Sequence, residues 1–203
     1  MKDLDKNLIQ RTLQTPLPGK TAHLAMAPPW RRDELEPKAH YRPSAVLIML
    51  YPDSGNLFFP LIHRSSHLNH HANQIGLPGG ALEPDETAEQ AALRETEEEM
   101  GIPQEEISIL GRLSPLGLSS SGYTIQPVVG FCEQVSHFDP NPQEVASWFA
   151  APLTDLLDRN HIIDYRLEDG RYTPAYLLLG KPIWGATAMI LAEFAVLLEL
   201  VRH

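Results

Sequence analysis

Runs and alternations of apolar residues divide the chain into elements before any motif is considered. Leu4, Leu8, Ile9 and Leu13 recur at helical spacing over residues 3–14, and Pro16, Leu17, Pro18 and Gly19 stop the pattern. Residues 20–43 are polar and proline-rich, with Pro28-Pro29 and Arg31-Arg32, and are expected to form an extended arm outside the core. At Ser44 the character changes. The run AVLIMLY reads as a buried strand, and Asp53-Ser54-Gly55-Asn56 turns it into LFFPLIH, completing a hairpin. A loop rich in His and Asn follows, then a glycine cluster and the strongest helical pattern of the chain. ISILGRL, residues 124–132 and VASWFA read as strands, PLTDLLD as a short helix, RYTPAYLLLG as a strand and residues 186–201 as a closing helix. Strands and helices mix without strict βαβ alternation, which predicts an α/β fold with a mixed sheet flanked by helices. Two regions are expected: an N-terminal helix and polar arm over residues 1–43, and one folded domain over residues 44–203.

Composition narrows the function classes. A length of 203 residues suits one domain with a substantial core. The formal charge of −10 argues against a nucleic-acid partner held by bulk electrostatics. It leaves room for a small anionic substrate, because a bound divalent cation reverses the local field. The single cysteine, Cys132, excludes an intramolecular disulfide and a cysteine-rich zinc site, and is expected as a small buried strand residue. The start, MKDLDKNLIQ, has no apolar run suited to a signal peptide, and AMILAEFAVLLELV is interrupted by Glu193 and Glu199 and is short of a bilayer span. No membrane association and a cytoplasmic location are therefore expected.

The candidate chemistry lies in residues 78–102, PGGALEPDETAEQAALRETEEEMGI. Thr87 and Gln90 make a capping box, so a helix should start at Ala88 and end near Met100, with Gly101 as a left-handed cap. At helical spacing Leu93, Thr96 and Met100 fall on one side, and Glu95, Glu98 and Glu99 fall on the other within about a 100° arc. Like charges three and four residues apart repel, and acids in a last turn oppose the macrodipole. Arg94 is the only base in this helix. A hard cation such as Mg²⁺ would cancel both penalties, since it prefers carboxylate oxygens. A solvated acidic face is the bland alternative, and spacing alone does not separate the two. Pro78-Gly79-Gly80 adds a loop whose backbone can approach an ion or phosphate closely.

The same segment resembles the Nudix box, G-x(5)-E-x(7)-R-E-U-x-E-E-x-G-U, where U is a bulky apolar residue. Gly80, Glu86, Arg94, Glu95, Glu98, Glu99, Gly101 and Ile102 are in register, and Thr96 replaces the usual aliphatic residue. Chance agreement at the seven fixed positions is less than about one in a hundred million per window at average residue frequencies. The resemblance implies a Nudix-type α/β/α sandwich and a metal-dependent hydrolase of a diphosphate linkage in a small nucleotide-containing substrate. It implies Mg²⁺ or Mn²⁺ bound by Glu95, Glu98, Glu99 and the Gly80 carbonyl, with the acids activating water. Arg94 would orient the acids and Glu86 would support the site.

Flanking segments bear on the substrate. LIHRSSHLNHHANQIGLPGG is similar to the motif preceding the box in coenzyme A pyrophosphatases, matching at Leu61, Arg64, Ser65, Pro78, Gly79 and Gly80. It departs at Ile62, Asn69, Asn73 and Leu77, and Asn69 lacks the charge of the arginine expected there. RPSAVLIMLY and KPIWGATAMIL resemble the same subfamily. This implies cleavage of coenzyme A or acyl-CoA to 3′,5′-ADP and a phosphopantetheine, with ADP-ribose, NADH or another nucleotide as rival substrates. A catalytically silent nucleotide sensor is a rival of another class, although such modules commonly lose box acids and this chain retains them all. Arg64 and Ser65 are candidate substrate contacts, Arg64 also reading as a plain loop arginine. His63, His67, His70 and His71, with His40 farther off, are read as a polar loop rather than a transition-metal site. Glu144, at the start of VASWFA, is a candidate extra acid or an ordinary strand-edge carboxylate. Tyr123 in SSSGYT is a candidate to stack on a base, or part of a simple loop. Trp184 is expected as a core residue or as the anchor of a homodimer.

Overall fold

A computed structural model describes residues 4–65 and 74–202. Helix α1 (Lys6–Thr12) begins where the Asp5 carboxylate accepts the Leu8 N–H at 2.7 Å. The extended arm expected over residues 20–43 does not form as such. It contains a second helix, α2 (Lys20–Met26), whose Ala22, His23 and Met26 are buried, and Leu35 beyond it is buried too. Its few apolar side chains are small or widely spaced, which is why the pattern read as polar.

Strand β1 (Arg42–Asp53) is the axis of the molecule. It turns through Ser54 and Gly55, with φ of 49° and 81°, into β2 (Asn56–Arg64). Two positive φ angles are what a two-residue hairpin turn matched to strand twist requires. Two short strands follow, β3 (Ile75–Gly76) and β4 (Gly79–Ala81), then helix α3 (Ala88–Met100). Next come β5 (Ile107–Arg112), β6 (Leu116–Leu118), β7 (Tyr123–Cys132) and β8 (Val145–Pro152). Strand β1 runs parallel to β7, from Arg42 beside Tyr123 to Leu50 beside Phe131. Its other edge is divided: β4 pairs antiparallel with the first half and β2 with the last residues. The sheet is therefore mixed, ordered β3-β2-β1-β7-β5, with β4 on β1, β6 on β7 and β8 on β2.

Helix α4 (Leu153–Leu156) leads to a separate antiparallel sheet, β9 (Ile162–Arg166), β10 (Tyr172–Leu178) and β11 (Lys181–Trp184), and α5 (Gly185–Arg202) closes the chain. Strands β3, β4, β6, β9 and β11 have no expectation behind them. At two to five residues, such strands present too few alternations to show a period.

Both faces of β1 are covered, which explains its unbroken apolar run. Ala45, Leu47 and Met49 pack with Ala88, Ala91, Ala92 and Met100 of α3 on one face. Ile48 and Leu50 pack on the other with Ile190, Phe194 and Leu197 of α5, and with Ile9 and Met26 of the N-terminal helices. The result is an α/β/α sandwich, as the motif resemblance implied. Cys132 is buried on β7, and Thr96 is fully buried with its hydroxyl donating to the Ala92 carbonyl at 2.7 Å. Among the described residues no helix is long and apolar enough to cross a membrane.

Candidate active site

The glycines ahead of α3 are sites of close approach. Gly79 has φ +148°, and a Cβ there would sit 2.2 Å from the Ala45 carbonyl oxygen. A Cβ on Gly80 would lie 2.3 Å from Glu95 Oε1. Bare backbone at β4 thus lets the acidic helix lie against the sheet edge. The helix starts and ends where the sequence predicts: the Thr87–Gln90 capping box is complete, and Gly101 is left-handed, with φ 70° and its N–H donating to Glu97 O.

The two-sided picture of this helix needs one correction. Glu99 is not on a face opposite the core; it is 0% exposed, among Ala88, Ala91, Ala92 and Thr96 on the buried side. The small alanines leave room for a carboxylate under the sheet. Glu99 Oε2 accepts the Gly79 N–H at 2.9 Å, and Oε1 lies 2.8 Å from Arg64 Nη1. The Oε1 contact is an ion pair without hydrogen-bond geometry, so this buried oxygen has no hydrogen bond among the described residues. Arg64 also donates to the Gly79 carbonyl.

Arg94 gathers the remaining acids. Its Nε and Nη2 bind the two Glu86 oxygens at 2.9 and 3.0 Å, and its Nη1 reaches Glu95 Oε1 at 2.9 Å and Glu98 Oε2 at 3.1 Å. Nη2 also donates to Ala81 O at 3.2 Å, so every N–H of the guanidinium is used. The arginine's hydrogen bonds hold the Glu86 carboxyl below its usual range, against slight desolvation. Glu95 behaves oppositely: burial raises it, Arg94 opposes, and the Glu98 charge adds to the rise. Burial pushes Glu99 up to about 7, with Glu95 and Glu144 raising it further while Arg64 and the Gly79 N–H pull it down.

Glu144 reaches this cluster through the end of α3. Asp139 N–H and Asn141 N–H cap the Met100 and Glu99 carbonyls at 2.9 and 3.1 Å, fixing the loop that leads into β8. Glu144 Oε1 there accepts the Asn141 amide at 3.2 Å, its one side-chain partner among the described residues. Ser65 is buried, and its N–H donates to Glu144 O at 2.8 Å. It follows the register shift at His63 and Arg64 and lies against the Glu144 loop, next to Arg64, which lines the cavity described below. His67, His70, His71, Asn69 and Asn73 lie outside the described residues; His63 is a half-buried β2 residue and His40 packs edge-on against Tyr41.

The donor set suits a hard cation: several carboxylates, one buried oxygen without a hydrogen bond, and side-chain-free backbone at Gly80. Among the described residues no three acids or histidines yet converge on a single point, because Arg94 draws Glu95 and Glu98 while Arg64 draws Glu99. A cation held by these carboxylates would have to draw them away from the two arginines.

A cavity of about 320 Å³ adjoins the cluster across Gly79 and Gly80. Arg64 lines it at that end, Tyr123 and Ser121 line another wall, and Trp184 with the first turn of α5 lines a third. Tyr123 thus opens a strand and faces the cavity, with the Arg42 guanidinium 5.5 Å from its ring centroid. Trp184, expected as a core or dimer anchor, is a wall residue. Arg31 and Gln74 also line the cavity and were not candidates from the sequence, since neither stands at a fixed position of the motifs compared above.

The NUDIX domain family model matches residues 40–171. The chain belongs to the Nudix hydrolase family. It is similar to the uncharacterized Nudix hydrolase NudL of Yersinia pestis (strain Pestoides F), at 41% identity over 140 residues, or 66% of this chain and 69% of the relative. NudL of Yersinia pseudotuberculosis serotype O:1b (strain IP 31758) matches equally. Among solved structures, the MutT protein of Methanosarcina mazei Go1 superposes with TM-score 0.54 and 19% identity over 83% of this chain and all of that one. The Nudix hydrolase RenU of M. smegmatis gives 0.53 and 19% over 79% and 88% of the two chains. These two likenesses establish the fold. As a Nudix hydrolase the chain is a pyrophosphohydrolase of small nucleoside diphosphate derivatives, and its family uses divalent metal ions. Helices α1, α2 and α5 lie outside the matched residues.

Proposed function

We propose that this Nudix hydrolase cleaves the diphosphate of coenzyme A or an acyl-CoA, giving 3′,5′-ADP and the corresponding phosphopantetheine, with Mg²⁺ or Mn²⁺. The observation that carries the reading is the cavity against Gly79 and Gly80. It has Arg64 at the acid end, an aromatic ring at Tyr123, and apolar wall at Ile125, Trp184 and Ile190 for a pantetheine arm. The similarity of the segment around Arg64 to the coenzyme A pyrophosphatase motif supports the same substrate.

Glu95, Glu98, Glu99 and the Gly80 carbonyl would hold the cation, which supplies neutralisation of charge on the bridging and leaving oxygens. Arg94 fixes Glu95 and Glu98 from one side, and Arg64, paired with Glu99 here, would be the contact for phosphate where Glu99 serves as a ligand. The attacking water forms the new P–O bond, the bridging P–O bond breaks, and its electron pair leaves with the departing phosphate. We assign the water's proton to Glu144, the acid near Glu99 that, among the described residues, no arginine holds. Tyr123 stacks on the adenine.

The test is kcat/KM for coenzyme A against ADP-ribose and NADH at equal Mg²⁺. Coenzyme A should lead. A rival ahead by about tenfold, worth about 1.4 kcal/mol in the transition state, would remove the coenzyme A reading and leave the Nudix chemistry standing.

A further inference from the structure

The cavity contains a cation that the reaction described above does not use. Arg31 ends the short 3-10 helix Pro29–Arg31, upstream of the residues matched by the family model. It is half-buried and lines the cavity, and among the described residues its guanidinium has neither an ion pair nor a hydrogen bond. Arg64 and Arg94, by contrast, are spent on carboxylates. In a chain of net charge −10, a half-buried arginine left without an acid is a poorly compensated charge.

Its position is held, not incidental. The Arg171 guanidinium stacks on the Trp30 ring at 4.0 Å. Leu35 O accepts the Gly117 N–H at 2.9 Å, and Ser119 donates to Glu34, the acid nearest Arg31 in sequence after Asp33. A Cβ on Gly117 would lie 2.3 Å from Glu36 O, so the 31–36 segment lies directly on β6 and the loop after it. That loop brings Ser121 to the same cavity, and Ser121 Oγ is buried there without a hydrogen-bond partner among the described residues. An uncompensated guanidinium and an unsatisfied hydroxyl therefore line one cavity from two segments that are tied together. A phosphomonoester satisfies both, since it offers three acceptor oxygens and close to two negative charges.

We propose that Arg31 and the Ser121 hydroxyl bind a phosphate of the substrate beyond the two joined by the bond that is cut, which makes Arg31 a specificity-determining residue. The assignment rests on the cavity being the nucleotide site. It selects nucleotides carrying an additional phosphomonoester on the ribose over those without one.

The experiment is calorimetric binding of adenosine 3′,5′-bisphosphate and of 5′-AMP to the full chain in the absence of metal. The wild type should bind the bisphosphate about tenfold more tightly or better, as expected for hydrogen bonds to a charged group. Arg31→Ala should abolish that preference while leaving 5′-AMP binding within about twofold. Ser121→Ala should reduce it in part, and Arg31→Lys should restore more of it than Arg31→Gln. Thermal melts identify a misfolded variant, and the lysine and glutamine pair then carries the comparison. A wild type without the preference, or an Arg31 variant that weakens both ligands equally, overturns the proposal. Turnover of coenzyme A is measured separately. If coenzyme A is not a substrate but the bisphosphate preference is present and lost with Arg31, the substrate reading fails and the Arg31 site stands.

Discussion

Replacing Glu193 by glutamine probes how the N-terminal segment is joined to the body of the enzyme. Glu193 lies in the middle of α5 and is 0% exposed, facing His23 of α2, itself 2% exposed. Its Oε1 accepts the Gly19 N–H at 2.9 Å; its Oε2 contacts His23 Nε2 at 3.0 Å and accepts the Ser114 N–H at 3.1 Å. Burial pushes the Glu193 carboxyl up, but His23, Ser114 and Gly19 together hold it below its usual range. Glutamine keeps the volume and one acceptor, and turns an NH₂ toward groups that themselves donate. Leaving a buried donor without its acceptor costs about 1–3 kcal/mol. The retained acceptor holds the loss to about 3 kcal/mol, or roughly 6–12 °C in Tm for a chain of this size. Thermal and urea unfolding measure it. Glu199→Gln is the control: its pair with the exposed Arg159 is a surface contact and should cost under about 1 kcal/mol. Because the folded-state pKa of Glu193 is lowered, its contribution is fully present above the ordinary carboxylate range and is lost as pH falls through the folded value. The gap between wild type and variant should therefore narrow in acid. A Glu193→Gln melt within about 2 °C of wild type at neutral pH, or a gap that widens in acid, refutes the argument.

Three further outcomes concern the acid cluster. Glu98→Gln and Glu99→Gln should each leave the chain folded and cut Mg²⁺-dependent turnover by orders of magnitude; near-full turnover in both would remove these acids from the metal site. Glu99 is raised to about 7, so the metal-free protein should lose stability as pH rises from about 4.5 through 7, and Glu99→Gln should flatten that slope in pH-dependent melts. Arg94→Lys keeps one charge but cannot span Glu86, Glu95, Glu98 and Ala81 together, so we expect weaker metal binding and a large loss of turnover; a lysine variant equal to wild type would make Arg94 a surface residue.

The box helix could be read from the chain almost residue by residue, because its signals are local. A capping box, a left-handed glycine and acids at helical spacing act within a few residues of one another, and the observed boundaries agree. The hairpin of β1 and β2 and the closing helix α5 were legible for the same reason. Helix α2 was not, since Ala22 and Met26 count as core only once α5 is packed on them. The burial of Glu99 was not either. A helical wheel places it among acids, and only the sheet edge at Gly79, with Arg64 beneath it, makes that direction the interior.

Local backbone preference and motif spacing, then, determined by themselves the sandwich class, the acidic helix and the family chemistry. The tertiary structure alone decided which surface each acid meets, that Glu144 approaches Glu99 through the capped end of α3, and that the Ser65 N–H is tied to the Glu144 carbonyl. It also decided that Arg31, 57 residues before the first residue of the box helix, Ala88, lines the same cavity as Tyr123 and Trp184. The physical reason is that long-range pairing in a mixed sheet depends on the packing of all its faces at once, and no window of neighbouring residues carries that information.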